Sequence, residues 1–220
     1  MRRLPGIAFA TAFLALGTLP SAARAQERSG TPGEFDFYVL ALSWSPAFCG
    51  GPGAVRGSPQ CEPGRRLGFV VHGLWPQYDR GYPSRCDSRN APRYVIDETA
   101  DIFPDPGLAR HEWRTHGTCS GLDPSSYFRA VRRARGMVSV PEALTALSRD
   151  GRTTGGNIER AFVEANLRLR PDMMAVTCRR GELAEVRVCL EKDLSGFRRC
   201  PAVDAQSSCR FGPIDVPAPR

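Results

Sequence analysis

Apolar residues recur along this 220-residue chain with two spacings, short runs near both ends and helical periods between them. The stretch 35–44 is dense in aromatic and aliphatic side chains and predicts a buried strand. A second apolar run, 67–71, leads into His72-Gly73-Leu74-Trp75-Pro76. Glycine and proline interrupt strands, so His72 is expected at a strand end. Segment 107–118 can form a helix carrying His111 and His116. Asp123-Pro124, an N-cap followed by an N1 proline, predicts a helix start for 125–135. Two more helices are expected at 141–149 and 157–166. The runs 173–177 and 183–190, separated by Arg179-Arg180-Gly181-Glu182, predict a terminal hairpin. Strands at both ends with helices clustered between them imply an α+β domain, not a strictly alternating parallel sheet. No internal repeat is visible.

Residues 1–25 have the form of a secretion signal: Arg2 and Arg3, an apolar run over 7–16, then Ala23-Arg24-Ala25, which suits signal peptidase. The alternative, an uncleaved anchor, is disfavoured because the run is too short to span a bilayer and is followed by Gly17 and Pro20. No later segment approaches a membrane span, so the mature form is expected to be soluble. Polar residues 26–34 read as a flexible leader, 35–212 as one domain and 213–220 as a C-terminal tail. Losing the signal's three arginines takes the formal charge from +7 to +4. That suits a polyanionic partner, and equally an arginine-favouring composition, since Lys192 is the single lysine. All 8 cysteines follow the signal. An even count in an exported chain indicates disulfides, and the absence of any C-x-x-C pair argues against zinc.

The chain holds 3 histidines, confined to His72-Gly-Leu-Trp-Pro and to His111-Glu112-Trp113-Arg114-Thr115-His116-Gly117-Thr118-Cys119. Histidine titrates near neutrality, so one imidazole can accept a proton while a charged second one donates. Two such groups flanking a phosphodiester suffice to cleave RNA: the 2′-hydroxyl attacks phosphorus and the 5′-oxygen leaves protonated. DNA lacks that nucleophile. The competing motif, H-E-x-x-H of zinc proteases, fails by one residue, because i and i+5 diverge by about 140° on a helix. Glu112 and His116 do share a helix face and can form a carboxylate–imidazole pair. Each histidine taken alone could be structural, as could Trp44 and Trp113 in a core. Trp75, beside a glycine and a proline, is better placed to stack a base, and Tyr78 and Tyr82 could assist.

Together the two histidine segments resemble those of the ribonuclease T2 family. Phe35-Asp36-Phe37-Tyr38-Val39-Leu40 with Trp44, Pro46 and Cys49 is similar to its first strand, and Cys178, Cys189, Cys200-Pro201 and Cys209 to its tail. The resemblance implies an α+β fold with a central antiparallel sheet flanked by helices and stapled by disulfides. It implies a secreted or periplasmic endoribonuclease that cuts single-stranded RNA to a 2′,3′-cyclic phosphate and then a 3′-phosphate. Low base specificity, no metal, no cofactor and a monomer are part of the same expectation. His116 would be the base and His72 the acid, His111 would hold the phosphate, and Glu112 would stabilise the transition state. Trp75 would stack on the base, with Gln77, Tyr78 and Arg114 as further substrate contacts. Implied disulfides are Cys49–Cys61, Cys86–Cys119, Cys178–Cys209 and Cys189–Cys200.

Three positions depart from the family pattern. Thr115 stands where lysine usually precedes the last histidine, removing a cation from the phosphate; Arg114 points about 100° away on a helix. Gln77 occupies a base-contact position where some members carry an acid, and Ser43 one where several carry glutamine. Thr115 keeps a second reading open, a secreted RNA-binding or toxin-like protein with weakened catalysis. His111-Glu112 keeps a third, a zinc hydrolase.

Overall fold

The computed structural model describes residues 27–28 and 30–219; the expected signal segment 1–25 lies outside them. Strand β1 (Glu27–Arg28) precedes β2 (Phe37–Trp44), which runs into the short helices α1 (Ser45–Cys49) and α2 (Pro52–Arg56). Next come β3 (Phe69–Gln77), β4 (Tyr82–Pro83) and α3 (Arg93–Asp97). A helical stretch follows with α4 (Pro106–Thr115), α5 (Pro124–Gly136) and α6 (Glu142–Thr145). The remainder alternates β5 (Gly151–Thr154), α7 (Gly155–Ala165), β6 (Met174–Arg179), β7 (Glu182–Glu191), α8 (Pro201–Asp204) and β8 (Pro213–Val216).

A sheet of order β3-β2-β7-β8-β5, with β6 also on β7, forms the centre, and helices flank it. Its pairs are antiparallel except β7 with β8. Central strand β2 is covered on both faces, which is why its sequence is a continuous apolar run without alternation. On one face Tyr38, Leu40, Leu42 and Trp44 join the main core with Trp113, Tyr127 and Phe162 from the helices. On the other, Phe37 and Val39 pack with Ala175, Cys189, Cys200 and Val203, and Trp75 lies against them. Four disulfides, Cys49–Cys61, Cys86–Cys119, Cys178–Cys209 and Cys189–Cys200, staple the fold, the last within the second core.

Local chemistry accounts for the element ends. Asp105 accepts from Gly107 N at 2.7 Å to start α4, and Asp123 accepts from Ser126 N at 3.1 Å to start α5, each with proline at the first helical position. Arg180 and Gly181, both at positive φ, make the turn of the β6–β7 hairpin.

Five expectations need correction. Strand β3 does not stop at His72 but continues to Gln77. It is an edge strand, so Pro76 forfeits no ladder bond on its open side. Segment 107–118 is helical only to Thr115, and 141–149 only over α6, after which Asp150 accepts from Ala218 N at 2.9 Å and the chain enters β5. The supposed tail 213–220 contributes β8, paired with β5, and Pro217 O accepts from Trp44 Nε1 at 2.9 Å. The supposed flexible leader is docked: β1 pairs with β4, and Gly33 N donates to Cys119 O at 2.9 Å.

Candidate active site

His72 is the extra residue of a β-bulge. Ala41 faces Gly73 and Leu42 faces Val71, so nothing on β2 opposes His72. A bulge re-aims the side chain it carries, and here the imidazole turns to β7, where Nδ1 meets Glu185 Oε1. Gly73 leaves room for the neighbouring site residues, because a Cβ there would collide with Glu112 Oε2 and Trp75 Nε1.

The second segment is placed by the C-terminal end of α4. Trp113 is fully buried and donates from Nε1 to Arg89 O at 2.7 Å, fixing the helix rotation. Glu112 is thereby buried as well, with 1% exposure, and faces β3. His116 N still donates to Glu112 O at 2.9 Å, yet its φ of −120° ends the helix, and a 3₁₀ turn over Gly117–Ser120 follows. Gly117 permits this tight exit, since a Cβ would press on Trp113 and Tyr127. His111, five residues earlier, is exposed.

Trp75 joins the two segments. Its ring centroid lies 5.3 Å from His72 and 5.3 Å from His116, so the imidazoles are within twice that distance of each other. Its Nε1 donates to Glu112 Oε2 at 2.8 Å, and Glu112 Oε1 is 3.8 Å from His72 Nε2. Arg187 Cζ lies over the same ring at 5.2 Å.

These surroundings shift the two imidazoles in opposite directions. Burial opposes the charge on His72, but the hydrogen bond and charge of Glu185, with the charge of Glu112, outweigh it and raise its pKa. His116 has no carboxylate partner among the described residues; burial, then the charges of His72 and His111, take it down to about 3. Its Nδ1 is buried without a hydrogen-bond partner. Burial pushes Glu112 up to about 7 against the pull of His72 and Trp75. Glu185 also resists burial, but His72 and Arg187 hold it down at about 2. His111 is lowered by burial, then by the charges of His72, Arg114, Arg85 and Arg56.

Of the residues named from sequence, His72, Glu112, His116 and Trp75 converge, while His111 and Arg114 are exposed on α4, with the charges of His72 and Arg114 bearing on His111. Gln77 is buried and donates from its amide to Pro76 O at 2.9 Å, while Tyr78 packs against the main core. Glu185 and Arg187 were missed. Their signal was two polar residues, i and i+2, on one face of a strand whose other positions are largely apolar. Among the described residues, no group of three or more His, Cys, Asp or Glu side chains is arranged to hold a metal ion, and no helix is long and apolar enough to cross a membrane.

Known proteins resemble this chain. A "Ribonuclease" of Aeromonas hydrophila is 47% identical over 103 residues, covering 47% of this chain and 46% of that protein. A "Probable ribonuclease" of Haemophilus influenzae is 33% identical over 52% of this chain and 47% of its own length. The chain thus spans about half the length of these two relatives. Ribonuclease I of Escherichia coli is 27% identical over 83% of the chain and 85% of its own. The solved structure of RNase NT in complex with 5′-AMP superposes with a TM-score of 0.68 at 24% identity, over 84% of this chain and 99% of that one, a likeness of fold. The family model described as "Ribonuclease T2 family" matches residues 35–200, and the chain belongs to that family.

Proposed function

We propose that the protein is an exported endoribonuclease that cuts single-stranded RNA by internal transesterification, without a metal ion and with low base specificity. The observation that carries this reading is the pair of imidazoles each 5.3 Å from the Trp75 ring, in surroundings that raise the pKa of one and lower that of the other. His116, neutral and without a carboxylate, accepts the 2′-hydroxyl proton as O2′ attacks phosphorus. The P–O5′ bond breaks, and charged His72 delivers a proton from Nε2 to the departing O5′. The product is a 2′,3′-cyclic phosphate, which water opens to a 3′-phosphate with the two roles reversed.

Glu112, with its pKa near neutrality, can donate a hydrogen bond to a non-bridging phosphoryl oxygen where a full carboxylate would repel it. His111 holds the phosphate. Thr115 supplies no cation, but Arg85 N donates to Thr115 O at 2.9 Å, and the charges of Arg114, Arg85 and Arg56 all reach His111. Phosphate attraction therefore comes from arginines around position 115. Trp75 orients Glu112 and both imidazoles, and its uncovered part is the stacking surface for a base. Export is supported by the signal-like segment 1–25 together with four disulfides.

The test is a defined oligoribonucleotide incubated with pure protein and EDTA. Cleavage to a cyclic phosphate should persist, and a 2′-deoxy substitution at the scissile nucleotide should abolish it. Loss of all cleavage in chelator, or scission of the deoxy analogue, would refute the mechanism. Thr115 favours one second reading, RNA binding with vestigial catalysis. An equal, negligible rate in wild type, His72→Ala and His116→Ala would establish it.

A further inference from the structure

The acid of the proposed mechanism has a partner in β7. We infer that Glu185 is the positioning residue for His72: its carboxylate, braced by Arg187, holds Nδ1–H and thereby presents Nε2 to the cleft. This rests on reading His72 as the proton donor to the leaving oxygen. Neither histidine segment contains this group, and it lies 113 residues from the ring it holds.

The argument begins in the sheet. Glu185 and Arg187 stand opposite Ser43 and Ala41 of β2, and Ala41 in turn stands opposite Gly73 of β3. Directly paired residues share a face, so the β7 side chains cross β2 above two small residues to reach the bulged His72. A long side chain at position 43 would occupy that path. Ser43 is a position where the family resemblance lapses, and its small size is what makes room for the carboxylate.

The carboxylate is itself held. Arg187 donates to Glu185 Oε2 from Nε at 2.9 Å and from Nη2 at 2.7 Å, and its Nη1 donates to Gln206 Oε1. Glu185 is only 13% exposed, and an ionised carboxylate can only accept. His72 Nδ1 must therefore carry a hydrogen, which leaves Nε2 as the nitrogen that gains and loses the catalytic proton. That nitrogen faces Glu112 Oε1 at 3.8 Å. The charged groups around the ring are Glu185 and Arg187 from β7, Glu112 and His111 from α4, and His116 just beyond it. Among the described residues the two carboxylates favour the imidazolium, and Glu185 is the one hydrogen-bonded to it.

Nuclear magnetic resonance tests this without reference to turnover. In wild type, ¹⁵N shifts of neutral His72 should report the Nδ1–H tautomer, and its titration midpoint should lie above 6.5. Glu185→Gln should lower that midpoint by about one pH unit or more and move the basic limb of kcat/KM equally, leaving His116 nearly unaffected. Glu185→Asp, which keeps the charge on a shorter arm, should restore part of the shift. An Nε2–H tautomer in wild type, or an unmoved midpoint in folded Glu185→Gln, overturns the assignment. Where the glutamine variant does not fold, the wild-type tautomer decides. A protein that never cleaves RNA would refute the function and leave this titration to judge Glu185 on its own.

Discussion

Replacing Glu112 with glutamine removes a charge that the fold opposes, and the effect can be sized. The side chain is 1% exposed and accepts one hydrogen bond, from Trp75 Nε1 at 2.8 Å. Burial lifts its pKa from 4.5 to about 7. A group whose folded pKa lies above its unfolded one stabilises the fold while protonated; that contribution is complete below 4.5 and is lost as pH rises through 7. At ~1.36 kcal/mol per pH unit the interval is worth about 3 kcal/mol. The attraction of charged His72 is already contained in the raised value. Glutamine has the same shape, keeps an acceptor for Trp75 and does not titrate. Relative to wild type, the unfolding free energy of Glu112→Gln should therefore rise by about 3 kcal/mol between pH 4.5 and about 8. Urea unfolding of both proteins with disulfides intact measures it, and kcat should fall by roughly 10²-fold in the same variant. Parallel stability curves, or a wild type that gains on the variant as pH rises, would refute the placement of a buried, charge-opposed carboxylate.

The pH dependence of kcat/KM should be a wide bell. Its acid limb should lie well below 6.5, because His116 resists protonation down to about 3, and its basic limb above 6.5, because His72 holds its proton; two limbs crowded at 6.5, or a flat profile, would contradict this. Gly73→Ala should preserve the fold, since the clash is with side-chain atoms of Glu112 and Trp75, but cost roughly 10²-fold in kcat by displacing both; an active variant would show that the packing is looser than described. Replacing Cys86 and Cys119 by serine opens a span of 33 residues and should lower stability by about 3 to 4 kcal/mol in urea unfolding. Because Cys119 lies within the 3₁₀ turn that leaves α4, the same variant should also raise KM; unchanged kinetics would separate that disulfide from the site.

Much of this site was legible because its residues are close in sequence. Five of its members sit in two short segments, and Asp123-Pro124 announced α5 through purely local chemistry. What was illegible depends on pairing across the sheet. Glycine and proline suggested that β3 ends at His72, and only the strand's edge position shows why Pro76 is tolerated and why the chain bulges instead. Residues 213–220 carry few apolar side chains, so nothing local marked Pro213–Val216 as a strand; β5 and Trp44 capture it. Gln77 offered a plausible base contact by order along the motif, yet its amide turns back to Pro76 O.

The opposite pKa shifts of the two imidazoles follow from what each side of the cleft can offer. Burial alone would neutralise both rings. A bulge in an edge strand lets His72 reach a carboxylate two strands away while a second lies 3.8 Å from its other nitrogen. The His116 ring, at a helix end, meets an indole and the charges of His72 and His111, and among the described residues no carboxylate bonds to it. The same desolvation is therefore cancelled at one ring and left uncorrected at the other. The difference that general acid–base chemistry requires arises from partners and not from depth. Moving the carboxylates, more than moving the histidines, is how this fold would retune its working pH.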